Sequence, residues 1–174
     1  MENWSILTNI AQSLLPVQKL ITGGAYLLGI LFAMKALMAL KSHGETRGGG
    51  GNSSSMKEPL LYFIVAGMLI YFPTGFEVLM NTTFGYSNVL SYSDTSAMNT
   101  WLGGDSSLGN ALTVIIQTIG LYAFVKGWMM ITKSASTGQP PNGTGKGLTH
   151  VFGGILAVNI VGTIEMINNT LMGT

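Results

Sequence analysis

Four long apolar stretches organise this chain. The first runs from Leu20 to Leu40, interrupted only by Lys35, and the second from Pro59 to Phe76, continuing past Glu77 to Met80. The third extends from about Asn110 to Ile131 around Lys126, and the fourth from Gly147 to about Leu171 around Glu165. A spanning helix needs about 20 apolar residues, with a range of roughly 17–25, so each stretch predicts one crossing. The expected fold is an all-α membrane protein with four transmembrane helices in two tandem helical hairpins. Ahead of them, Trp4, Leu7, Ile10 and Leu14 recur at roughly helical spacing within residues 1–15. That pattern predicts a short N-terminal amphipathic helix at the membrane surface, with Pro16 ending it or starting the next element. The segment lacks a basic n-region and a clear small-residue cleavage site, so it does not read as a signal peptide.

The polar connections set the organisation. Residues 41–58 and 133–149 are rich in glycine and polar residues, and Gln139-Pro140-Pro141-Asn142-Gly143 breaks helix, so both segments are expected to be flexible loops. The whole chain is then one membrane domain, with residues 17–80 as the first hairpin, 81–108 as a periplasmic connection and 109–174 as the second hairpin. Tyr86, Tyr92 and Trp101 lie in or next to that connection, and such residues favour the headgroup zone.

Composition sharpens the class. Charged residues make up 9 % of the chain, against about a quarter in a soluble domain, and a surface that poor in charge suits lipid. The 24 glycines fit helices that approach closely in a membrane. Cysteine is absent, which excludes disulfides and thiolate metal sites. A formal net charge of +1 argues against a nucleic-acid partner. The position of the charges says more than their sum. Lys35, Lys41, Arg47, Lys57, Lys126, Lys133 and Lys146 flank or occupy the first and third loops, whereas 77–108 carries Glu77, Asp94 and Asp105. The positive-inside rule puts the basic loops in the cytoplasm, and both termini with the middle connection outside; Lys19 is the one basic residue on the other side.

The two halves resemble each other. Gly29-x5-Lys35-x5-Lys41-Ser42 matches Gly120-x5-Lys126-x6-Lys133-Ser134, and Glu77-x3-Asn81-Thr82-x2-Gly85 aligns without gaps to Glu165-x3-Asn169-Thr170-x2-Gly173. Two such hairpins would be related by a pseudo-two-fold axis along the membrane normal. Lys35 and Lys126 stand about six residues, roughly 9 Å, from the inner ends of their apolar stretches. From there they can snorkel to the headgroups as simple anchors, or bind anionic lipid or line a basic pocket between subunits. Glu77 and Glu165 are polar repeat positions near the opposite ends. Small residues form stripes at Ala25, Gly29 and Ala33, at Ala123 and Gly127, and at Gly153 and Ala157. Such stripes serve an internal bundle and an oligomer equally well. Gln117 and Asn159 are expected to hydrogen-bond between helices.

No catalytic constellation emerges, and no enzyme or cofactor is expected. His43 and His150 are isolated, so no metal site is expected. Gly143-Thr144-Gly145-Lys146-Gly147 lacks the spacing of a phosphate loop and follows no strand; it is expected to be a turn entering the fourth helix.

The stretch Lys57-Glu58-Pro59-Leu60-Leu61-Tyr62 onward through IVAGMLIYFPTGFEVLMNTTFG, and the second half from IIQTIGLYAFVKGWMMI through KSASTGQPPNGTGKGLTHVFGGILAVNIVGT, resemble the IcmC/DotE family. The resemblance is strongest at Tyr71-Phe72-Pro73-Thr74-Gly75 and from Gly138-Gln139-Pro140-Pro141 to Gly147. It implies a bacterial inner-membrane component of the Dot/Icm type IVB secretion system, related to TraQ of IncI conjugation systems, that supports translocation of effector proteins or DNA–protein substrates. Its expected partners are membrane lipids, other secretion-system membrane proteins and further copies of itself. No enzymatic activity is assigned to that family, so no catalytic residues carry over. In outline each half also resembles the two-helix pilins of type IV systems, which leaves a polymerising subunit with bound phospholipid as the alternative.

Overall fold

The computed structural model describes residues 2–48, 56–85, 106–135 and 142–173. These form six helices: α1 (Glu2–Gly48), α2 (Lys57–Ile70), α3 (Phe72–Phe84), α4 (Ser106–Ala135), α5 (Asn142–Val158) and α6 (Ile160–Met172). Tyr86, Tyr92 and Trp101, the centre of the expected periplasmic connection and the Pro140-Pro141 turn lie outside the described residues. Two helical segments, Ile6–Glu45 and Leu108–Ser134, are long and apolar enough to cross a membrane, and α5 with α6 makes a third if that bent pair counts as one span. Four continuous spans do not form among the described residues. The second apolar stretch is split after the 14 residues of α2, which reach only about 21 Å at the helical rise, short of the roughly 30 Å hydrocarbon layer.

The expected short N-terminal helix is instead the start of the 47-residue α1, which runs through Pro16. Proline removes one backbone donor and crowds the preceding turn. Breaking the helix there would expose further backbone groups among apolar residues, a larger cost where no water is available. At its other end α1 continues past Leu40 into the expected loop. Ser42 Oγ donates to the Ala39 carbonyl at 3.1 Å, and the exposed Lys41 and Glu45 pair at 3.7 Å, a one-turn spacing that supports helix.

The chain folds as two compact units. The first contains residues 1–21, 76–124 and 152–174; the second contains 22–75 and 125–151. In the first, Ala11 of α1 packs with Ala111 and Val114 of α4, with Leu7 and Leu14 alongside. Gln18 Nε2 donates to Thr118 Oγ1 at 2.9 Å in a buried contact, and the Thr118 hydroxyl donates in turn to the Val114 carbonyl at 2.8 Å. In the second unit, Ala25 and Ala36 are fully buried, Gly29 lies against Leu69 and Ile70, and Phe32 stacks on Tyr62 with ring centroids 6.0 Å apart. The buried face of α1 is thus a narrow seam of small residues, while Leu20, Leu27, Leu37 and Met38 point outward. Only 17 % of the apolar window of α1 is buried, against 50 % in α4. Lipid is the natural solvent for the remainder.

Candidate functional site

The feature most specific to this chain is a helix break that occurs twice. The shift that carries Glu77 onto Glu165 also carries Tyr71 onto Asn159 and Gly85 onto Gly173. Helix α2 stops at Tyr71 (φ −92°, ψ 30°), and α5 stops at Asn159 (φ −103°, ψ 54°). The same shift relates the two 13-residue helices that follow. Both end on a glycine with positive φ, 78° at Gly85 and 67° at Gly173, a left-handed conformation that glycine adopts without a side-chain clash. The Gly85 N–H donates to the Asn81 carbonyl at 2.9 Å, and the Gly173 N–H to that of Asn169 at 3.1 Å. The aligned threonines also match: Thr82 donates to the Val78 carbonyl and Thr170 to that of Met166. The Asn-Thr-x2-Gly motif read from the sequence is therefore a helix-stop signal.

Different chemistry produces the two breaks. In the first half Pro73 has no N–H to offer the carbonyl of Leu69, so the backbone ladder is interrupted across Tyr71. In the second half the Asn159 side chain accepts from the Gly162 N–H at 3.4 Å. Thr163 Oγ1 lies 2.8 Å from the carbonyls of both Leu156 and Asn159, pinning one helix to the next across the gap. There α5 and α6 meet at 91°.

Close glycine contacts hold α4 against α5. In the first unit a Cβ placed on Gly120 would meet the Val158 nitrogen at 2.8 Å, and one on Gly154 would meet the Gly120 carbonyl oxygen at 2.8 Å. In the second unit a Cβ on Gly127 would meet the Gly147 oxygen at 2.7 Å, and one on Gly147 would meet the Gly127 oxygen at 2.8 Å. Each helix thus offers two glycines at heptad spacing. Gly143 approaches Ser134 equally closely, and the hydroxyls of Ser134 and Thr144 are 2.6 Å apart. The Gly143–Gly147 segment, expected to be a turn, is the first part of α5, and two of its glycines, Gly143 and Gly147, serve contact. The repeat appears here too: a Cβ on Gly29 would meet Leu69 and Ile70, and one on the matching Gly120 would meet the matching Ala157 and Val158.

Within the chain, the stripe on α5 runs through Gly147 and Gly154. Gly153 is exposed, with open space where a Cβ would be. Ala33 and Ala123 are half-buried, whereas Ala25, Gly29 and Gly127 are buried. Gln117 does not make the expected interhelical bond; its buried Oε1 has no hydrogen-bond partner. Gln18 and Thr118 make such a bond instead, and Asn159 caps α6. Gln18 could have been found by its heptad spacing from Ala11 and Ala25.

Lys35 is exposed, with Nζ 5.9 Å from the Phe32 ring centroid, a cation–π distance. Lys126 is half-buried. Both α1 and α4 continue beyond the apolar stretches in which these lysines lie. Glu77 and Glu165 are both exposed. Glu165 lines a 420 Å³ cleft with Thr83, Phe84, Gly162, Met166, Asn169 and Thr170, between the end of α3 and the length of α6. One carboxylate among neutral side chains offers no general acid–base pair there. Among the described residues no three His, Asp or Glu side chains cluster to hold a metal. Comparison with family models, curated proteins and solved structures returns no match for this chain.

Proposed function

We propose that this protein is a structural component of the bacterial inner membrane in a type IVB secretion apparatus of the Dot/Icm kind, or in a related conjugation apparatus. The observation that carries the reading is the IcmC/DotE resemblance, strongest at Tyr71-Phe72-Pro73-Thr74-Gly75 and at Gly138 to Gly147. These segments contain residues with evident structural work. The first spans the break between α2 and α3, and the second ends in the glycines that seat α5 on α4. In the proposed layout each half is a hairpin with one long arm and one broken arm. Lys41 and Lys146 face the cytoplasm and the termini face the periplasm. Deleting the gene should abolish export of effector proteins and leave solute uptake unchanged. Normal export by the deletion strain would overturn the proposal.

The twofold break and its matching glycine caps favour one second reading, a pilin-like subunit in which the duplicated hairpin polymerises and Lys35 and Lys126 hold phospholipid. Native-membrane cross-linking that yields a ladder of multimers supports it, and a lone monomer band counts against it. Paired broken helices also occur in transporters, where they expose carbonyls to an ion or substrate. Here Thr163 occupies the Asn159 carbonyl.

A further inference from the structure

We propose that α6 lies in the plane of the membrane, its apolar side sunk into the outer lipid layer, rather than completing a crossing begun by α5. This rests on the reading of the chain as a membrane protein. The helix turns 91° from the axis of α5 at Asn159, and Thr163 bonds across the corner to Leu156. A helix step of about 100° places Glu165, Asn168 and Asn169 on one side of α6 and Ile164, Ile167 and Leu171 on the other. Ile167 and Leu171 are 49 % and 78 % exposed, so the protein itself leaves that side open. On α5, Leu148 and Phe152 are exposed as well. Helices that divide in this way settle at the boundary between headgroups and acyl chains. With no lysine or arginine on α6, apolar burial drives the contact, and neutral lipid suffices.

The chain contains no cysteine, so single cysteines can be introduced and spin-labelled directly. The variants are I164C, I167C, L171C, E165C and N168C, reconstituted in phosphatidylcholine vesicles, with collision rates measured against oxygen and a water-soluble nickel chelate. Labels at 164, 167 and 171 should share one shallow depth and favour oxygen several-fold; labels at 165 and 168 should favour nickel. A steady change in depth of about 10 Å from 164 to 171 would mean that α6 spans and would overturn the proposal. Nickel access at all five sites would put the helix in water, and exclusion of both reagents at 167 and 171 would mean that a second copy covers it; either result also overturns it. I119C and K133C on α4 should differ in depth by about 21 Å. Equal depth at those two sites would undo the membrane reading itself, a failure distinct from that of the in-plane helix.

Discussion

Single glycines in this chain have opposite meanings, and substitution will separate them. Alanine at Gly127 or Gly154 would drive a methyl group into backbone of the facing helix, and overpacking of that kind costs about 1–3 kcal/mol. Alanine at Gly153, Gly23 or Gly24 meets nothing within 4 Å, so stability should change by no more than about 0.5 kcal/mol. Unfolding in mixed micelles measures both sets. At Gly85 and Gly173 the expected loss is about 1–2 kcal/mol for a different reason, since alanine must there take up a left-handed conformation. The buried pair of Gln18 and Thr118 should show a coupling of about 0.6–2 kcal/mol in a double-mutant cycle of Gln18→Leu and Thr118→Val; additive losses would mean that the bond contributes nothing. Composition announces many glycines without sorting them. Gly153 and Gly154 are neighbours in sequence, and only the rotation of α5 against α4 decides which of them touches.

At the scale of elements, apolar runs located the helices and misplaced their ends. The third run, Asn110–Ile131, falls inside α4. The second and fourth read as continuous because hydropathy does not register a missing hydrogen bond. Pro73 and Asn159 are single residues, and their effect is on backbone direction rather than polarity. Conversely, residues 41–48 and 142–149 read as loops because they are polar and glycine-rich, yet they are helical. The aligned Asn-Thr-x2-Gly motifs were legible as a repeat, and their role as helix stops became visible only through the φ angles of the glycines. Thr163 is the residue to test at this scale. Thr163→Val removes the bond to Leu156 across the corner, so the angle between α5 and α6 should broaden, measured as a wider distribution between spin labels on Leu148 and Leu171. An unchanged distribution would assign the corner to Asn159 alone.

For the whole molecule, the charge pattern makes the firmest statement about orientation. Cysteines replacing Lys41 and Lys146 should resist a membrane-impermeant maleimide added to intact cells with a permeabilised outer membrane, and react once the inner membrane is opened. Reaction in intact cells would invert the proposed layout. The helical class and the membrane character were readable from composition and run length alone. The number of crossings was not, because a run of apolar residues measures length along the chain, whereas a crossing is set by direction in space. The candidate site was legible in part: Gly29, Gly120 and Gly127 stood out in the repeat or the small-residue stripes, whereas Gly147, the partner of Gly127, lay in a segment that composition assigns to a turn, and Gly154, the partner of Gly120, stood beside the stripe residue Gly153.

The long first helix has a consequence of scale. The helical segment Ile6–Glu45, apolar at its centre, contains 40 residues, about 60 Å of rod, against a layer about 30 Å deep. Leaning by 40°, the steepest inclination usual for such helices, still leaves a vertical rise of about 46 Å. Part of the helix must therefore stand clear of the bilayer, so that the chain enters any larger assembly with a mast already raised.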